Sequence, residues 1–179
     1  MQRTDASARR ANLKREAVSG GLLPRESAKA LAARLVKVRE MSSGELRMKL
    51  TLKGVSEDVS EEVVANMIES GLIADEWYAV RIVCWYRQRG YGRSRIEFEL
   101  QNRAVPREYW EDAFFNEDGA LYGVDAEIEA AASIIDNYDL SGGLTTDIRR
   151  RIISALQRRG HSRDVIVCAF RSRDYYVSL

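Results

Sequence analysis

The sequence predicts an all-α protein that is built from three tandem repeats of three helices each. The first observation is a short helical phrase that recurs as GELRMKLTLKGV at 44–55, SRIEFELQNRAV at 94–105 and, more faintly, RRIISALQRRGH at 150–161. The second is that glycine, serine and proline separate short segments whose apolar residues follow the helical period. Because such short helices are marginal alone in water, they are expected to pack as three-helix bundles and to stack on neighbouring repeats.

The three copies of the phrase align residue by residue. The offset is 50 residues between the first two copies and 56 between the last two, and the six extra residues fall in a loop at about 138–146. Two apolar positions and one basic position recur in every copy. They are Leu46, Ile96 and Ile152; Leu50, Leu100 and Leu156; and Lys53, Arg103 and Arg159. The register therefore predicts that the two apolar positions are buried in all three repeats.

These signals divide the chain into four parts. Residues 1–26 are basic, small and polar, and we expect them to form a flexible N-terminal arm. Repeat 1 is predicted to span 27–74, repeat 2 to span 75–118 and repeat 3 to span 119–179. Repeat 3 contains the longer internal loop at about 138–146, where glycine and serine are frequent.

Capping signals mark the helices of repeat 1. Ser42 and Glu45 form an S-x-x-E capping box that starts the second helix. Ser56 is expected to cap the third helix through its side chain. Gly54 follows the second helix, where the left-handed conformation that ends many helices favours glycine.

Repeat 2 carries related signals. Asp75 is expected to cap its first helix, and the apolar face of that helix is predicted to hold Trp77, Val80 and Cys84, at i, i+3 and i+7. Pro106 suits the first position of the third helix, because its missing N–H costs nothing there.

The end of the middle helix of repeat 2 and the helices of repeat 3 complete the helix assignment. Ala104 stands in repeat 2 where the other repeats have Gly54 and Gly160, so the glycine stop is missing there. The helices of repeat 3 are predicted over 124–137, 147–159 and 162–170.

Composition excludes several classes of protein. The longest apolar run is far shorter than the ~18–20 residues of a membrane span, and the N-terminus lacks the apolar core of a signal peptide. We therefore expect a cytoplasmic protein without a membrane partner. Cys84 and Cys168 are the two cysteines of the sequence and are expected to stay reduced.

Motifs for catalysis are also missing from the sequence. It contains no zinc-binding pattern and no phosphate-binding loop, so we expect no metal, no cofactor and no catalytic residues. His161 is the one histidine, and we interpret it as a partly buried structural residue rather than a general base. The sequence therefore favours a binding protein over an enzyme.

Charges alternate in blocks along the chain, although the net charge is only +1. Residues 1–54 carry a net +8, 55–80 a net −7, 81–107 a net +5, 108–139 a net −10 and 140–179 a net +5. Such blocks predict surfaces of opposite potential. Arginine-rich surfaces suit phosphate groups, whereas acidic helices are expected to face protein.

Three motifs carry a resemblance to a known family. They are E-L-R-x-K-L-x-x-K-G at 45–54, G-L-I-A-D-E-W-Y-A at 71–79 and R-G-Y-G-R-S-R-I-E-F-E-L at 89–100. Together they resemble RecX, the bacterial regulator of the RecA recombinase. The resemblance covers roughly residues 28–170. It is strong in the first two repeats and weak in the third, where RRGH stands in place of the aromatic residue that the family more often has after the glycine.

The resemblance implies a binding protein with a defined partner. RecX proteins are modular three-helix repeats that form an elongated, curved molecule and bind along the groove of the RecA filament on DNA. They limit its ATP hydrolysis, strand exchange and co-protease activity, and some members also bind DNA. For this chain we therefore expect a monomer whose partner is the RecA filament, with single- or double-stranded DNA as a second candidate partner.

The expected contact residues fall into two groups. The preferred group occupies the turn and the following helix of repeat 2, and a second group lies in repeat 3. They are Arg87, Arg89, Tyr91, Arg93, Arg95 and Arg103, and then Arg149, Arg150, Arg158 and Arg159. Two other functions stay open. One is a helical nucleic-acid-binding module that acts without RecA, and the other is an adaptor for another helical protein.

Overall fold

The computed structural model describes residues 22–115 and 123–176, and its regular secondary structure is helical throughout those ranges. The all-α prediction is therefore confirmed. Most of the predicted N-terminal arm lies outside the described residues, and the first helix begins at Arg25, inside the stretch assigned to that arm. The chain divides into two compact units, Met1–Asp75 and Glu76–Leu179.

The first unit contains helices α1 (Arg25–Val38), α2 (Ser43–Leu52) and α3 (Glu57–Glu69). Their apolar faces share one core, with Ala28, Ala32, Met41, Leu46, Leu50, Val55, Val63, Val64, Met67 and Ile73 buried. Ala28 and Ala32 lie one turn apart on α1, so the small side chains allow the other helices to pack closely against it.

Two cap predictions in this unit have different outcomes. Ser42 caps α2 as predicted, since its Oγ accepts a hydrogen bond from the backbone N–H of Glu45 at 3.0 Å. Ser56 precedes α3 as predicted, but its side chain makes no capping hydrogen bond, so that part of the prediction is wrong. The start of α3 instead carries Glu57 and Asp58, whose charges suit the positive end of the helix dipole.

The second group of helices comprises α4 (Asp75–Arg87), α5 (Arg93–Asn102) and a 3₁₀ turn (Arg107–Tyr109) that leads into α6 (Trp110–Phe114). Pro106 does not occupy the first helical position, because its ψ of 138° is extended and places it before the turn. The proline therefore lies in the extended link between the end of α5 and the 3₁₀ turn, where it interrupts the helix.

The buried face of α4 is not the one that the spacing of Trp77, Val80 and Cys84 predicts. Trp77 is 66% exposed, and the residues that enter the core are Tyr78, Ala79, Ile82 and Val83. Those four lie at i, i+1, i+4 and i+5, which forms an equally regular apolar stripe. Small Ala79 and Val83 let the helix approach the core closely, whereas the indole of Trp77 would hold it away.

Asp75 has a different role from the predicted cap of its own helix. It is the first residue of α4, and its Oδ1 accepts a hydrogen bond from the backbone N–H of Ser43 at 2.9 Å. Ser43 is the first residue of α2, so this amide is one of those that a helix leaves without an internal partner. Asp75 therefore supplies the hydrogen-bond acceptor for the first backbone amide of α2.

The third group comprises α7 (Val124–Ile135), α8 (Thr146–Arg158) and α9 (Arg163–Arg171), close to the predicted bounds. Two of these helices begin with hydroxyl caps. Thr145 Oγ1 accepts from Ile148 N and Ser162 Oγ accepts from Val165 N, each at 3.3 Å. The core buries Ala131, Ala132, Ile135, Ile152, Leu156, Val165, Ile166, Ala169 and Phe170.

The residue-by-residue alignment of the three phrases is confirmed by burial. All six apolar residues at the two aligned positions have 0% exposure: Leu46, Leu50, Ile96, Leu100, Ile152 and Leu156. Each repeated phrase thus forms the middle helix of its group and turns the same two positions into its core.

We predict that Leu100→Ala lowers the free energy of unfolding by ~2–5 kcal/mol, because it removes a fully buried side chain and leaves a cavity. Urea denaturation followed by circular dichroism measures the change. Phe98→Ala is the matched control, since Phe98 lies on the same helix but is half-exposed, and it should cost less than ~1 kcal/mol. Equal losses from the two variants would contradict the assigned register.

Ala104 adopts the left-handed conformation that the equivalent glycines adopt. Its φ is 49°, and the φ angles of Gly54 and Gly160 are 81° and 85°. The backbone therefore makes the same helix stop in repeat 2 with a side chain that disfavours it. For an L-residue this conformation costs ~1–2 kcal/mol.

We predict that Ala104→Gly raises the free energy of unfolding by up to ~1 kcal/mol, since relief of the strain is partly offset by the greater freedom of glycine in the unfolded chain. The reverse change, Gly54→Ala, should destabilise by a similar amount, because a Cβ there meets no atom within 4 Å and only the backbone conformation is penalised. Thermal unfolding of both variants tests this pair. A destabilised Ala104→Gly variant would show that the left-handed assignment is wrong.

Candidate binding surface

Within the second unit, the turn before α5 meets the end of α8 at two glycines. The backbone N–H of Gly92 donates to Arg159 O at 2.8 Å, and that of Ser94 donates to Gly160 O at 3.2 Å. A Cβ on Gly92 would collide with the Gly160 backbone, and a Cβ on Gly160 would collide with the Arg95 backbone. Glycine is therefore required at both positions by the close approach of two backbones.

A buried carboxylate lies beside this contact. Glu127 on α7 is 6% exposed. Its Oε1 accepts a hydrogen bond from the backbone N–H of Arg93 at 3.1 Å, and its Oε2 lies 3.0 Å from Arg87 Nη1. His161 Nδ1 is 3.5 Å from Oε1. Groups from three separate segments of the unit therefore converge on one side chain.

The electrostatics of this site hold Glu127 ionised. Burial on its own would raise the pKa of its carboxyl, but the contacts with His161, Arg87 and the Arg93 amide outweigh that effect and lower the pKa to about 2. The side chain of Arg87 is itself only 8% exposed. The pair is thus a buried ion pair, which is strongly disrupted when one partner is removed.

His161 connects this site to the turn. Its side chain is fully buried, and Nε2 lies 3.1 Å from the carbonyl oxygen of Gly90. Because a carbonyl oxygen only accepts hydrogen bonds, Nε2 carries the proton in this contact. His161 aligns with Val55 and Val105, which are also buried. These contacts agree with the interpretation of His161 as a structural residue.

Next to the glycines, aromatic rings and guanidinium groups form a continuous surface cluster, here called the aromatic–arginine cluster. It consists of Trp85, Tyr86, Arg89, Tyr91 and Arg159. The Arg89 guanidinium lies over the Trp85 ring, 3.6 Å from its centroid, and the Arg159 guanidinium lies 5.5 Å from the centroid of Tyr91. Arg159 Nη1 also donates to Arg89 O at 2.8 Å, which links the two ends of the cluster.

Sequence comparisons place this architecture in a family. A profile of the first three-helix domain of RecX matches residues 28–66. The regulatory protein RecX of Mycolicibacterium smegmatis is 32% identical over 146 residues, which cover 78% of this chain and 76% of that protein. The regulatory protein RecX of Trichlorobacter lovleyi is 32% identical over 139 residues, covering 75% of this chain and 88% of that protein.

The chain belongs to the RecX family.

Solved structures agree with this assignment at the level of the fold. The crystal structure of RecX from Lactobacillus salivarius superposes with a TM-score of 0.71 at 21% sequence identity, covering 84% of this chain and 96% of that one. RecX proteins are regulatory proteins, and the family is not a known enzyme family. The helical repeat architecture of this chain is therefore the RecX fold.

The arginines that the sequence predicts as partner contacts have different surroundings in the structure. Arg87 is internal, as the partner of Glu127. Arg93 pairs with Glu97 at 2.7 Å and with Glu111, and its guanidinium lies over the Phe114 ring. Arg93 therefore has intramolecular contacts on several sides and mainly holds α5 and α6 together.

Arg95 and Arg103 are half-buried beside the same helices. Arg95 pairs with Glu99 at 2.6 Å and lies over the Phe98 ring, and Arg103 Nη1 donates to Tyr78 Oη at 3.2 Å. The fold thus brings Arg89, Tyr91 and Arg159 together. Arg87 and Arg93, in contrast, form ion pairs with acidic side chains of the same chain.

The repeat 3 arginines lie along α8. Arg150 and Arg158 are exposed, and Arg150 is 3.8 Å from Asp147. Arg149 is half-buried. The exposed side of α8 also carries Arg151, one residue before the buried Ile152. This helix therefore presents a basic face on the side away from its core.

Two important residues were missed at the level of the sequence. Glu127 had a detectable signal, because it lies at i, with the buried Ala131 and Ile135 at i+4 and i+8, on the apolar stripe of α7. A carboxylate on such a stripe indicates a buried partner. Trp85 also had a signal, since Arg89 follows it by four residues, a spacing that brings two side chains together along a helix.

In residues 22–115 and 123–176, no group of His, Cys, Asp and Glu side chains is arranged to hold a metal ion. Over the same ranges, no helix has both the length and the apolar character that crossing a bilayer requires.

We predict that Glu127→Gln lowers the free energy of unfolding at neutral pH by ~3–5 kcal/mol, because it leaves Arg87 buried without its counter-charge. The depressed pKa adds a pH dependence. The stabilisation is present above the ordinary value of 4.5 and is lost as the pH falls toward about 2. The native chain should therefore lose stability more steeply than the variant across that window.

Urea titrations at several pH values between neutrality and 2 measure both effects. Glu129→Gln is the matched control on the same helix, since Glu129 forms an exposed pair with Arg173 that solvent screens, and its loss should cost far less stability than the loss of Glu127. A Glu127→Gln variant as stable as this control would contradict the buried ion pair.

Proposed function

We propose that this chain binds the RecA filament on DNA and restrains the ATP hydrolysis, strand exchange and co-protease activity of RecA. The observation that carries the proposal is membership of the RecX family over about three quarters of the chain. The proposed role is binding, and no step of it requires the chain to perform catalysis.

The physical character of the fold supports this role. A filament groove is long and repetitive, and a protein made of similar helical groups offers similar contacts at intervals along its length. In repeat 3, the basic face of α8 includes the exposed Arg150 and Arg158. Such a face suits phosphate groups or acidic protein surface and gives binding that weakens as salt is added.

The first test is ATP hydrolysis by the cognate RecA on single-stranded DNA, with this chain titrated in at fixed salt. We expect half-inhibition well below one molecule per RecA monomer, because one bound regulator can affect many subunits of a filament. Unchanged hydrolysis at equimolar protein would contradict the proposal.

We predict that Arg150→Glu combined with Arg158→Glu raises the concentration needed for half-inhibition at least ~5-fold, because charge reversal repels the acidic or phosphate surface that the arginines meet. The double variant Arg163→Glu with Arg171→Glu is the control. It makes the same change in net charge at exposed positions of α9 that lie outside the predicted contact set.

Equal effects of the two double variants would show that only net charge matters, and that α8 has no specific role. Circular dichroism should show that both variants keep the helical content of the native chain. The assay should be repeated at higher salt, where the difference between the variants is expected to shrink.

A further inference from the structure

The buried ring of His161 has a polar neighbour at each of its two nitrogens. Nε2 lies 3.1 Å from the carbonyl oxygen of Gly90, and Nδ1 lies 3.5 Å from the carboxylate oxygen Oε1 of Glu127. Gly90 belongs to the turn before α5, Glu127 lies on α7, and His161 follows α8. One ring therefore contacts two segments that are distant from it in the sequence.

Both neighbours of the ring are hydrogen-bond acceptors. A carbonyl oxygen and an ionised carboxylate only accept, and the contacts of Glu127 keep its carboxyl ionised by lowering its pKa to about 2. A neutral imidazole has one N–H and one lone pair. When Nε2 donates to Gly90 O, the Nδ1 lone pair of a neutral ring faces a negative charge. Only the doubly protonated imidazolium presents an N–H to each neighbour.

The aligned positions of the other repeats show that burial alone does not require a histidine here. Val55 and Val105 occupy the same place after the middle helices of repeats 1 and 2, and both are buried. All three residues donate their backbone N–H to the aligned leucine of their own repeat, at 3.0 or 3.1 Å. Repeat 3 therefore keeps the same backbone and places an ionisable side chain where the others have an apolar one.

The charged groups nearest to the ring act in opposite directions. Glu127 favours a charge on the ring, whereas burial and the guanidinium of Arg87, which pairs with the other oxygen of Glu127, oppose it. The other ionisable side chains on the adjoining elements are paired elsewhere, half-buried or exposed. They are Arg93, paired with Glu97 and Glu111; Arg159, which donates to Arg89 O; Tyr91, beside Tyr86; Asp125, Arg163 and Asp164, which are exposed; and Cys168, which is half-buried.

The ring is placed next to the backbone contact between repeats 2 and 3. The Gly92 and Ser94 amides donate to Arg159 O and Gly160 O, the two carbonyl groups directly before His161. A histidine ordinarily gains or loses its charge between about pH 5 and 8. Over that range Glu127 stays ionised, so loss of the Nδ1 proton replaces an attraction at this contact by a repulsion.

We propose that His161 is a pH-sensitive switch, which in its doubly protonated form holds the turn of repeat 2 against the end of α8 and in its neutral form loosens that contact. Because the folded contacts favour the charged ring, the contact is strongest at the acid end of the histidine range and weakens as the pH rises through it. The docked turn also brings Arg159 to Arg89 and Tyr91. The aromatic–arginine cluster is therefore assembled most fully at the acid end.

The charge of the ring can be measured directly, because His161 is the one histidine of the chain. Nitrogen chemical shifts of the ring in the full chain, followed by NMR from about pH 5 to about pH 8, distinguish the imidazolium from each neutral tautomer. We expect two protonated nitrogens at the acid end and the Nε2–H tautomer at the alkaline end. A ring that is neutral throughout, or charged throughout, would overturn the inference.

Hydrogen exchange of two backbone amides reports whether the turn is docked. The Gly92 and Ser94 amides donate across the contact, whereas the Val105 amide donates to Leu100 O within repeat 2 and serves as an internal control. Protection factors of Gly92 and Ser94, corrected for the intrinsic pH dependence of exchange, should fall about tenfold or more between about pH 5 and 8, which is the factor for losing one hydrogen bond to a charged group. Protection of Val105 should change far less.

Two variants separate the charge of the ring from its volume. His161→Val introduces the residue that repeats 1 and 2 have at this position, so the variant is expected to fold, and it removes both polar contacts. His161→Gln keeps an uncharged N–H donor for Gly90 O. Both variants should lose the pH dependence of protection at Gly92 and Ser94, and glutamine should retain more protection than valine. Circular dichroism checks that each variant keeps its helical content.

Three exchange results would overturn the inference. One is protection of Gly92 and Ser94 that does not change with pH in the native chain, although the ring titrates. Another is a fall of equal size at Val105, which would indicate a general loss of stability. The third is a native pH dependence that persists in His161→Val, because another group would then be responsible for it.

These measurements contain no RecA, so they test the switch separately from the proposed function. A chain that shows the expected ring titration and amide exchange but does not inhibit RecA would support the switch and contradict the regulation. A chain that inhibits RecA while its ring and amides do not respond to pH would support the regulation and contradict the switch.

Discussion

The buried carboxylate of Glu127 is the constraint on which the second unit depends. An ionised group inside a protein costs several kcal/mol unless charges and hydrogen bonds surround it. Here those partners come from the end of α4, the start of α5 and the segment after α8, as Arg87, the Arg93 amide and His161. The unit can bury Glu127 only when all three segments are in place, so the residue makes their arrangement specific.

The surface cluster follows from this arrangement. His161 contacts Gly90 O, and the Gly92 amide contacts Arg159 O, so the turn of repeat 2 is held against the end of α8. That contact brings the Arg159 guanidinium to Arg89 and Tyr91, although they are about 70 residues apart in the sequence. The buried polar site around Glu127 and His161 therefore helps to position the aromatic–arginine cluster at the surface.

A similar device occurs at the start of two middle helices. The first amide of α2, from Ser43, donates to the carboxylate of Asp75, and the first amide of α5, from Arg93, donates to that of Glu127. Helices leave these amides without internal partners. An acid from a later helix supplies the acceptor each time, which satisfies a helix start and links segments that are distant in sequence.

The sequence by itself determined the helices, their register and the family. Periodicity, caps and the repeated phrase predicted the six aligned core residues and the helices of repeat 3, because helix formation depends on local spacing and local hydrogen bonds. The tertiary structure alone decided which of two apolar stripes α4 buries and that Ala104 adopts a glycine-like conformation. It also decided that Arg87 faces inward whereas Trp85 stays at the surface. These outcomes depend on packing between segments far apart in the chain, where volume and charge compensation override local preference.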